Sequence, residues 1–480
     1  MKVTFLGAAK QVSGSMTLLE VDNLKILVDC GLIQTNDTRK DMIANKKLFS
    51  FNPFEIDYCI ITHAHIDHCG LVPYLVKCGY TGPIICTEPT MNICEISLKD
   101  CAYIWQKEVE KLSGKTKSKI KLDSTSIPYT MDDADYAMRS FRGYGYDTNI
   151  YLSNNVSLVL KRAGHILGAA SLEFTITNND TYRSKKIVFT GDISGKNDFH
   201  PFIQPVEYIN KADYVICEST YGDKKHNKTP VIETLEKAIK ETCLQNNNGK
   251  GKTLLIASFS VQRLQEIIWY LHETYLRHPE FNCIPIYIDT PMGKNVSCRV
   301  YSSAQEFYNN EALDVCTKYG NVLEWDQLIY TNDYKESMAL ATGDAKIIIS
   351  SAGMMQAGRI LNHIESFLPS KGCTIMLTGF CAIGTFGRKL MDAIVNEQKT
   401  IQAVSGKRLT IRANVIKIDG MSGHADKNSI IQYIGNIKGL KKIILHHGEK
   451  EAIDTLKHEL KQKFNIDILV PNKNQTIILK

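Results

Sequence analysis

Residues 61–70 read ITHAHIDHCG, three histidines and an aspartate within six positions. No other stretch restricts the fold of this chain as strongly. The apolar run before it, DYCIIT, reads as a strand, and CGLVPYLVKCG after it begins a short helix. In extended backbone the side-chain direction repeats every two residues, so His63 and His65 point the same way. Asp67 and His68 then fall at the helix start. Zinc favours imidazole nitrogen and carboxylate oxygen, and a loop with two neighbouring ligand pairs can serve two metals close together. Such a loop must sit at a strand end, where other strand ends can supply further ligands.

The chain offers those ends. VSLVLKRAGH places His165 after an apolar strand and KIVFTGD places Asp192 after another. DGMSGHADK adds His424 in the same style. The glycine beside several of these lets the backbone approach closely. Taken singly, each residue is as readily a cap or a structural group; together they complete two metal sites.

At 480 residues the chain favours two or three domains. From about Pro230 the short β-branched runs give way to alternating strands and helices (ETLEKAIKETCLQ, KTLLIASF, VQRLQEIIWYLHETYL, IPIYIDT), the signature of a parallel α/β domain. After Phe386 short strands return, so the middle reads as an insertion. Hydrophobic and charged fractions of 44% and 22% are those of a globular protein. No apolar stretch suits a membrane span and the N-terminus lacks the long apolar core of a signal peptide, which points to the cytoplasm. The fourteen cysteines have no regular spacing and read as reduced, mostly buried thiols. A net charge of +6 permits a polyanionic partner without requiring one. The densest basic stretch, KLSGKTKSKIKLD from Lys111 to Asp123, reads as a solvated loop or edge strand.

THAHIDH, with Asp29 in LVDCG, His165 in GHILGAAS and Asp192 in FTGD, resembles the metallo-β-lactamase superfamily. YVICESTYGD, SFSVQRLQE, YIDTPMG, SSAGMMQAGRI and GMSGHAD resemble its β-CASP branch of nucleic-acid hydrolases. The resemblance spans nearly the whole chain and is nearest to the compact cleavage-factor-like ribonucleases of bacteria and archaea. It implies an α/β protein: a metallo-β-lactamase αββα sandwich from residues 1–222 and 388–480, with a parallel α/β β-CASP domain, 223–387, inserted. It also implies two zinc ions, one held by His63, His65 and His165, the other by Asp67, His68 and His424, with Asp192 bridging and Asp29 orienting a ligand from behind. His424 tilts the expected partner towards RNA, single-stranded; dimerisation through the C-terminal region is implied by the resemblance alone.

Phosphodiester hydrolysis needs a nucleophile, stabilisation of phosphoryl charge and a proton for the leaving oxygen, and two zincs supply the first two. The resemblance implies that the proton comes from a position just after Gly384-Thr385, supported by Glu218. That position carries Lys389, or Arg388 if the alignment slips. An unperturbed lysine holds its proton too tightly, so His447 and His363 become the candidate acids, with His447 preferred because HHGE follows the last strand of the metal-bearing domain. Ser258, Arg263, Ser351 and Arg359, at strand-to-helix turns, fit contacts to backbone phosphates. The competing functions are a small-molecule ester or thioester hydrolase on the same metal core, which needs no inserted domain, and a non-catalytic RNA-binding scaffold, which has no need of a full ligand set.

Overall fold

The computed structural model describes the chain except residues 36, 47–48, 114–125, 179–180, 182, 227–229, 245–251, 380 and 383. The lysine-rich stretch lies outside the described residues from 114 onward. The chain divides into two compact units, one of residues 1–199, 203–225 and 423–480, the other of 200–202 and 226–422.

The first unit contains two seven-stranded sheets. One runs in the order Gln475–Ile478, Lys2–Phe5, Thr17–Val21, Leu24–Val28, Tyr58–Ile60, Ile84–Thr87, Phe141–Tyr144; the other Asp467–Leu469, Lys442–Leu445, Tyr214–Cys217, Ser184–Phe189, Ala170–Thr177, Val156–Arg162, Asn149–Tyr151. Their inner faces share one apolar core. Phe5, Leu19, Ile26 and Ile60 of the first sheet join Leu160, Phe174, Ile187 and Ile216 of the second, each contributing about 1.5–3 kcal/mol by leaving water. Strands such as Ile84–Thr87 and Tyr214–Cys217 are buried at every position, which explains why they read as unbroken apolar runs rather than alternating ones. The helix Lys450–Lys463 turns Ala452, Ile453, Leu456 and Leu460 inward at three- and four-residue spacing. The last strand pairs antiparallel with the first, Val3 opposite Ile477, so the chain ends complete one sheet.

The second unit is built on a six-stranded sheet in the order Leu328–Tyr330, Ile286–Asp289, Lys346–Ser350, Thr253–Ala257, Thr374–Leu377, Asn414–Lys417, every neighbouring pair parallel. The helix Arg263–Arg277 buries Leu264, Ile267, Ile268, Leu271 and Tyr275. Asn414–Lys417 pairs with Thr374–Leu377, so the second unit runs to Ser422, where the sequence suggested a return at 388. A short apolar strand does not announce which sheet it will join. Three residues from the middle of the first unit's chain also belong here: Phe202 packs on Trp269, Tyr301 and Tyr308.

None of the fourteen cysteines forms a disulfide. No helix among the described residues is long and apolar enough to cross a membrane.

Candidate metal centre

The functional side chains of the first unit gather at one end of its strands. Asp29 follows Leu24–Val28; Thr62, His63 and His65 follow Tyr58–Ile60; His165 follows Val156–Arg162; Asp192 follows Ser184–Phe189; Glu218 follows Tyr214–Cys217; and His447 follows Lys442–Leu445. Asp67 and His68 sit on the short helix Ile66–Cys69. Gly31 lets this helix come close, since a Cβ there would fall 1.6 Å from the Asp67 carbonyl oxygen. Asp29 and His447 both adopt left-handed backbone, φ 60° and 51°, which costs a non-glycine residue about 1–3 kcal/mol. At Asp29 that cost is offset by hydrogen bonds that its Oδ1 accepts from the Thr62 backbone N–H (2.8 Å) and hydroxyl (3.0 Å).

Among the described residues, three groups of ligand atoms result: His63, His65, His165 and Asp192; Asp67, His68 and His447; and Asp192, Glu218 and His424. In the first, His65 Nδ1 faces His63 Nε2 at 3.2 Å and His165 Nε2 at 3.1 Å. In the second, His68 Nε2 faces His447 Nε2 at 3.1 Å, and Asp67 Oδ2 lies 3.6 Å from the same His447 nitrogen. Asp192 Oδ2 stands between the groups, 3.6 Å from His63 Nε2, 3.5 Å from His68 Nε2 and 3.7 Å from His165 Nε2. Behind them, Asp29 Oδ2 lies 2.7 Å from His68 Nδ1. His424 Nδ1 lies 3.0 Å from Glu218 Oε2, and Glu218 Oε1 accepts from the Ile193 backbone N–H at 2.7 Å.

Burial drives the imidazoles of His63 and His165 far below their ordinary value and that of His65 down to about 4. These rings are neutral, as a metal ligand must be. Burial acts in the same sense on His68, but the charges of Asp192 and Asp29 outweigh it and raise that imidazole well above the usual range. For Asp192 and Asp67 burial favours protonation; the surrounding histidines, His447 foremost, overcome it and hold both carboxyls well below the carboxylate range. His424 is raised to about 9, because Glu218 and Asp192 outweigh its burial.

Neutral imidazole lone pairs that meet nitrogen to nitrogen at hydrogen-bond distance repel unless a shared proton or cation lies among them. Asp192 Oδ1, moreover, is buried and makes no hydrogen bond, its nearest ring nitrogen being His447 Nδ1 at 3.2 Å. Three imidazoles and a carboxylate around one point, with a second cluster of two imidazoles and a carboxylate beside it, form a donor set suited to a borderline divalent ion. The residues present fit a metal.

Two expectations are met by a different arrangement. The sequence reading grouped His424 with Asp67 and His68 and kept His447 as an acid; the structure brings His447 to Asp67 and His68, and His424 to Glu218. His446 is turned into the core, its ring against Phe5 and its Nε2 donating to the Gly7 carbonyl at 2.7 Å. Of the other acid candidates, His363 is buried in the second unit with its Nε2 2.6 Å from Asp289 Oδ2. Lys389 is exposed on the helix Phe386–Val395, while Arg388 Nε donates to Asp392 at 2.8 Å. The four residues expected to meet phosphate bond within the second unit: Ser258 donates to the Phe259 carbonyl, Arg263 to Glu266 (3.0 Å), Ser351 to Thr290 (2.8 Å) and Arg359 to Asp289 (2.7 Å). The sequence reading passed over Thr62, whose hydroxyl touches Asp29, His63 and His68. Nothing but its place beside His63 distinguished it from a strand residue.

A sandwich that gathers imidazoles and carboxylates at the strand ends of both sheets defines a metallo-hydrolase scaffold. Three family models match the chain in succession: the metallo-beta-lactamase superfamily domain over residues 18–203, the Beta-Casp domain over 264–390, and the Zn-dependent metallo-hydrolase RNA specificity domain over 408–471. The chain belongs to the β-CASP family of the metallo-β-lactamase superfamily. It is 27% identical to Ribonuclease TTHA0252 of Thermus thermophilus over 94% of each chain, and 29% identical to an RNase J-like protein of Methanocaldococcus jannaschii over 93% of this chain and 92% of that one. It is also 26% identical to Transcription termination factor FttA of Methanosarcina mazei over 100% of this chain and 71% of that protein. A crystal structure of a protein of unknown function from Enterococcus faecalis shares the fold at a TM-score of 0.53 and 13% identity, covering 100% of this chain and 99% of its own.

Proposed function

We propose that this chain is a ribonuclease that hydrolyses RNA phosphodiester bonds with two zinc ions, in which His447 is a ligand and His424 delivers the proton to the leaving oxygen. The observation that carries the reading is the Glu218–His424 pair beside two complete ligand groups. When bound, zinc supplies Lewis-acid stabilisation of phosphoryl charge and activates water at neutral pH. His63, His65, His165 and Asp192 would hold one ion, and Asp67, His68, His447 and Asp192 the other. Glu218, fixed by the Ile193 N–H, accepts from His424 Nδ1, which sets the ring's orientation and leaves Nε2 as the atom that hands over a proton. This support keeps the imidazole charged, and burial on the same ring keeps its proton transferable. A scaffold protein has no use for an acid so supported. The ribonuclease names of two relatives favour RNA over a small ester.

The test is hydrolysis of labelled RNA, labelled DNA and a chromogenic ester, each with and without chelator. RNA alone should be cut at a substantial rate, and chelator should stop it. Cleavage of the ester alone would make the protein a small-molecule hydrolase, and RNA binding without cleavage would make it a scaffold. Because RNA is held largely through phosphates, the logarithm of affinity should fall linearly with the logarithm of salt concentration; an affinity indifferent to salt would count against the reading.

The raised value of His424 also sets a pH limit. Its protonated form is present below about 9 and is lost above it, so single-turnover rate should drop about tenfold per pH unit beyond that point. Glu218→Gln removes the larger of the charges that raise the ring, so the descending limb should move to lower pH. A limb unmoved by Glu218→Gln would deny the pair its role.

A further inference from the structure

We infer that Thr62 is a positioning residue that sets one histidine in each ligand group and thereby ties the two metal sites together; the inference rests on the metal-binding reading above. Thr62 is 1% exposed. Its hydroxyl lies 3.0 and 3.1 Å from the two oxygens of Asp29, 3.1 Å from His63 Nδ1 and 3.3 Å from His68 Nδ1. A hydroxyl has one proton to give and two lone pairs to receive. Asp29 as a carboxylate only accepts, so the Thr62 proton goes to it. The Thr62 oxygen then accepts from His63 Nδ1–H, and His68 Nδ1–H turns to the nearer Asp29 Oδ2 at 2.7 Å.

This assignment fixes both tautomers. With Nδ1 protonated, His63 presents a bare Nε2, and His68 does so once a metal ion displaces its second proton; these are the atoms that face the first and second groups. His63 depends on Thr62 for that choice, whereas His68 depends on Asp29, whose orientation Thr62 holds through its N–H and hydroxyl. The third side of Thr62 packs under the residue before Asp192: a Cβ at Gly191, where φ is +56°, would fall 2.9 Å from Thr62 Cβ. One threonine thus bears on His63, on His68 through Asp29, and on the backbone that leads to the shared carboxylate. Filling one group orders the Thr62–Asp29 pair on which the other group also depends, so the first ion should raise affinity for the second, and the reverse, by the same factor.

The test is titration of metal-free full-length protein with Co²⁺ followed by its visible absorption, with competition against a chelator of known affinity. The variants are Thr62→Val, which keeps the shape and removes the hydroxyl, and Thr62→Ser, which keeps the hydroxyl. Wild type should take two ions with positive cooperativity. Thr62→Val should lose about ten- to a hundredfold in affinity, lose the cooperativity and change the absorption spectrum, while Thr62→Ser should restore all three. A Thr62→Val isotherm and spectrum like wild type would overturn the inference, as would lowered melting of the metal-free form without change in either. If Thr62→Val fails to fold, Thr62→Ser and Thr62→Cys decide: a weaker donor in place of the hydroxyl must weaken the cobalt sites, and unchanged sites overturn the inference. Failure of wild type to bind two ions would instead defeat the metal reading itself.

Discussion

Asp192→Ala is expected to abolish hydrolysis and to deplete both ligand groups of metal. Its two oxygens lie within 3.8 Å of ring nitrogens of His63, His68, His165, His424 and His447, so it touches a histidine of every ligand group. Removing the carboxylate takes a donor from each proposed ion and the counter-charge that holds His68 protonated in the metal-free protein. Metal assistance is worth several kcal/mol in the transition state, so the rate should fall by about a thousandfold or more. Elemental analysis of the purified variant should show well under two ions per chain. The far-UV circular dichroism should be preserved, because the residue lies at a strand end outside the sandwich core. Wild-type turnover in this variant would remove the shared-carboxylate arrangement from consideration.

The second large effect separates two histidines to which the resemblance and the choice among acid candidates gave the opposite roles. His447→Ala should lose one ion, since its Nε2 faces His68 Nε2 at 3.1 Å in the group with Asp67. His424→Ala should keep both ions, yet lose about a hundredfold to ten-thousandfold in single-turnover rate, the usual loss when a general acid is removed. The decisive comparison is metal content measured beside rate in both variants. If His424→Ala sheds an ion while His447→Ala keeps two and is merely slow, the roles proposed here are exchanged and the ligand set inferred from resemblance is restored.

Much of this centre was legible in the chain. The spacing of THAHIDH forced His63 and His65 to one side of a strand end, and the structure has them converging with Asp67 and His68 on the next turn. His165 and Asp192 stood out because each ends an apolar run next to a glycine or a tight turn, and strand ends are where a sandwich exposes side chains without opening its core. The apolar texture likewise distinguished a unit of short buried strands from an inserted parallel α/β unit, since strands buried on both faces and amphipathic helices differ in period; that the first unit has two sheets was implied by the resemblance.

Other features were settled only by tertiary structure. GHAD and HHGE each offer a histidine in a polar loop, and local sequence has no means of ranking them. The parallel pairing of Tyr214–Cys217 with Lys442–Leu445 carries His447 in beside His68. The chain's return at Gly423, where the Ala425 N–H reaches the Ile193 carbonyl at 2.6 Å, sets His424 against Glu218. The same holds for Asn414–Lys417, which looked like the start of the return and instead extends the second unit's sheet, and for Arg359 and His363, which turn inward to a buried Asp289. Side-chain period and turn chemistry are local and are written in the sequence. Strand partners and buried ion pairs join residues hundreds of positions apart, and their identity depends on which surfaces meet when the core closes.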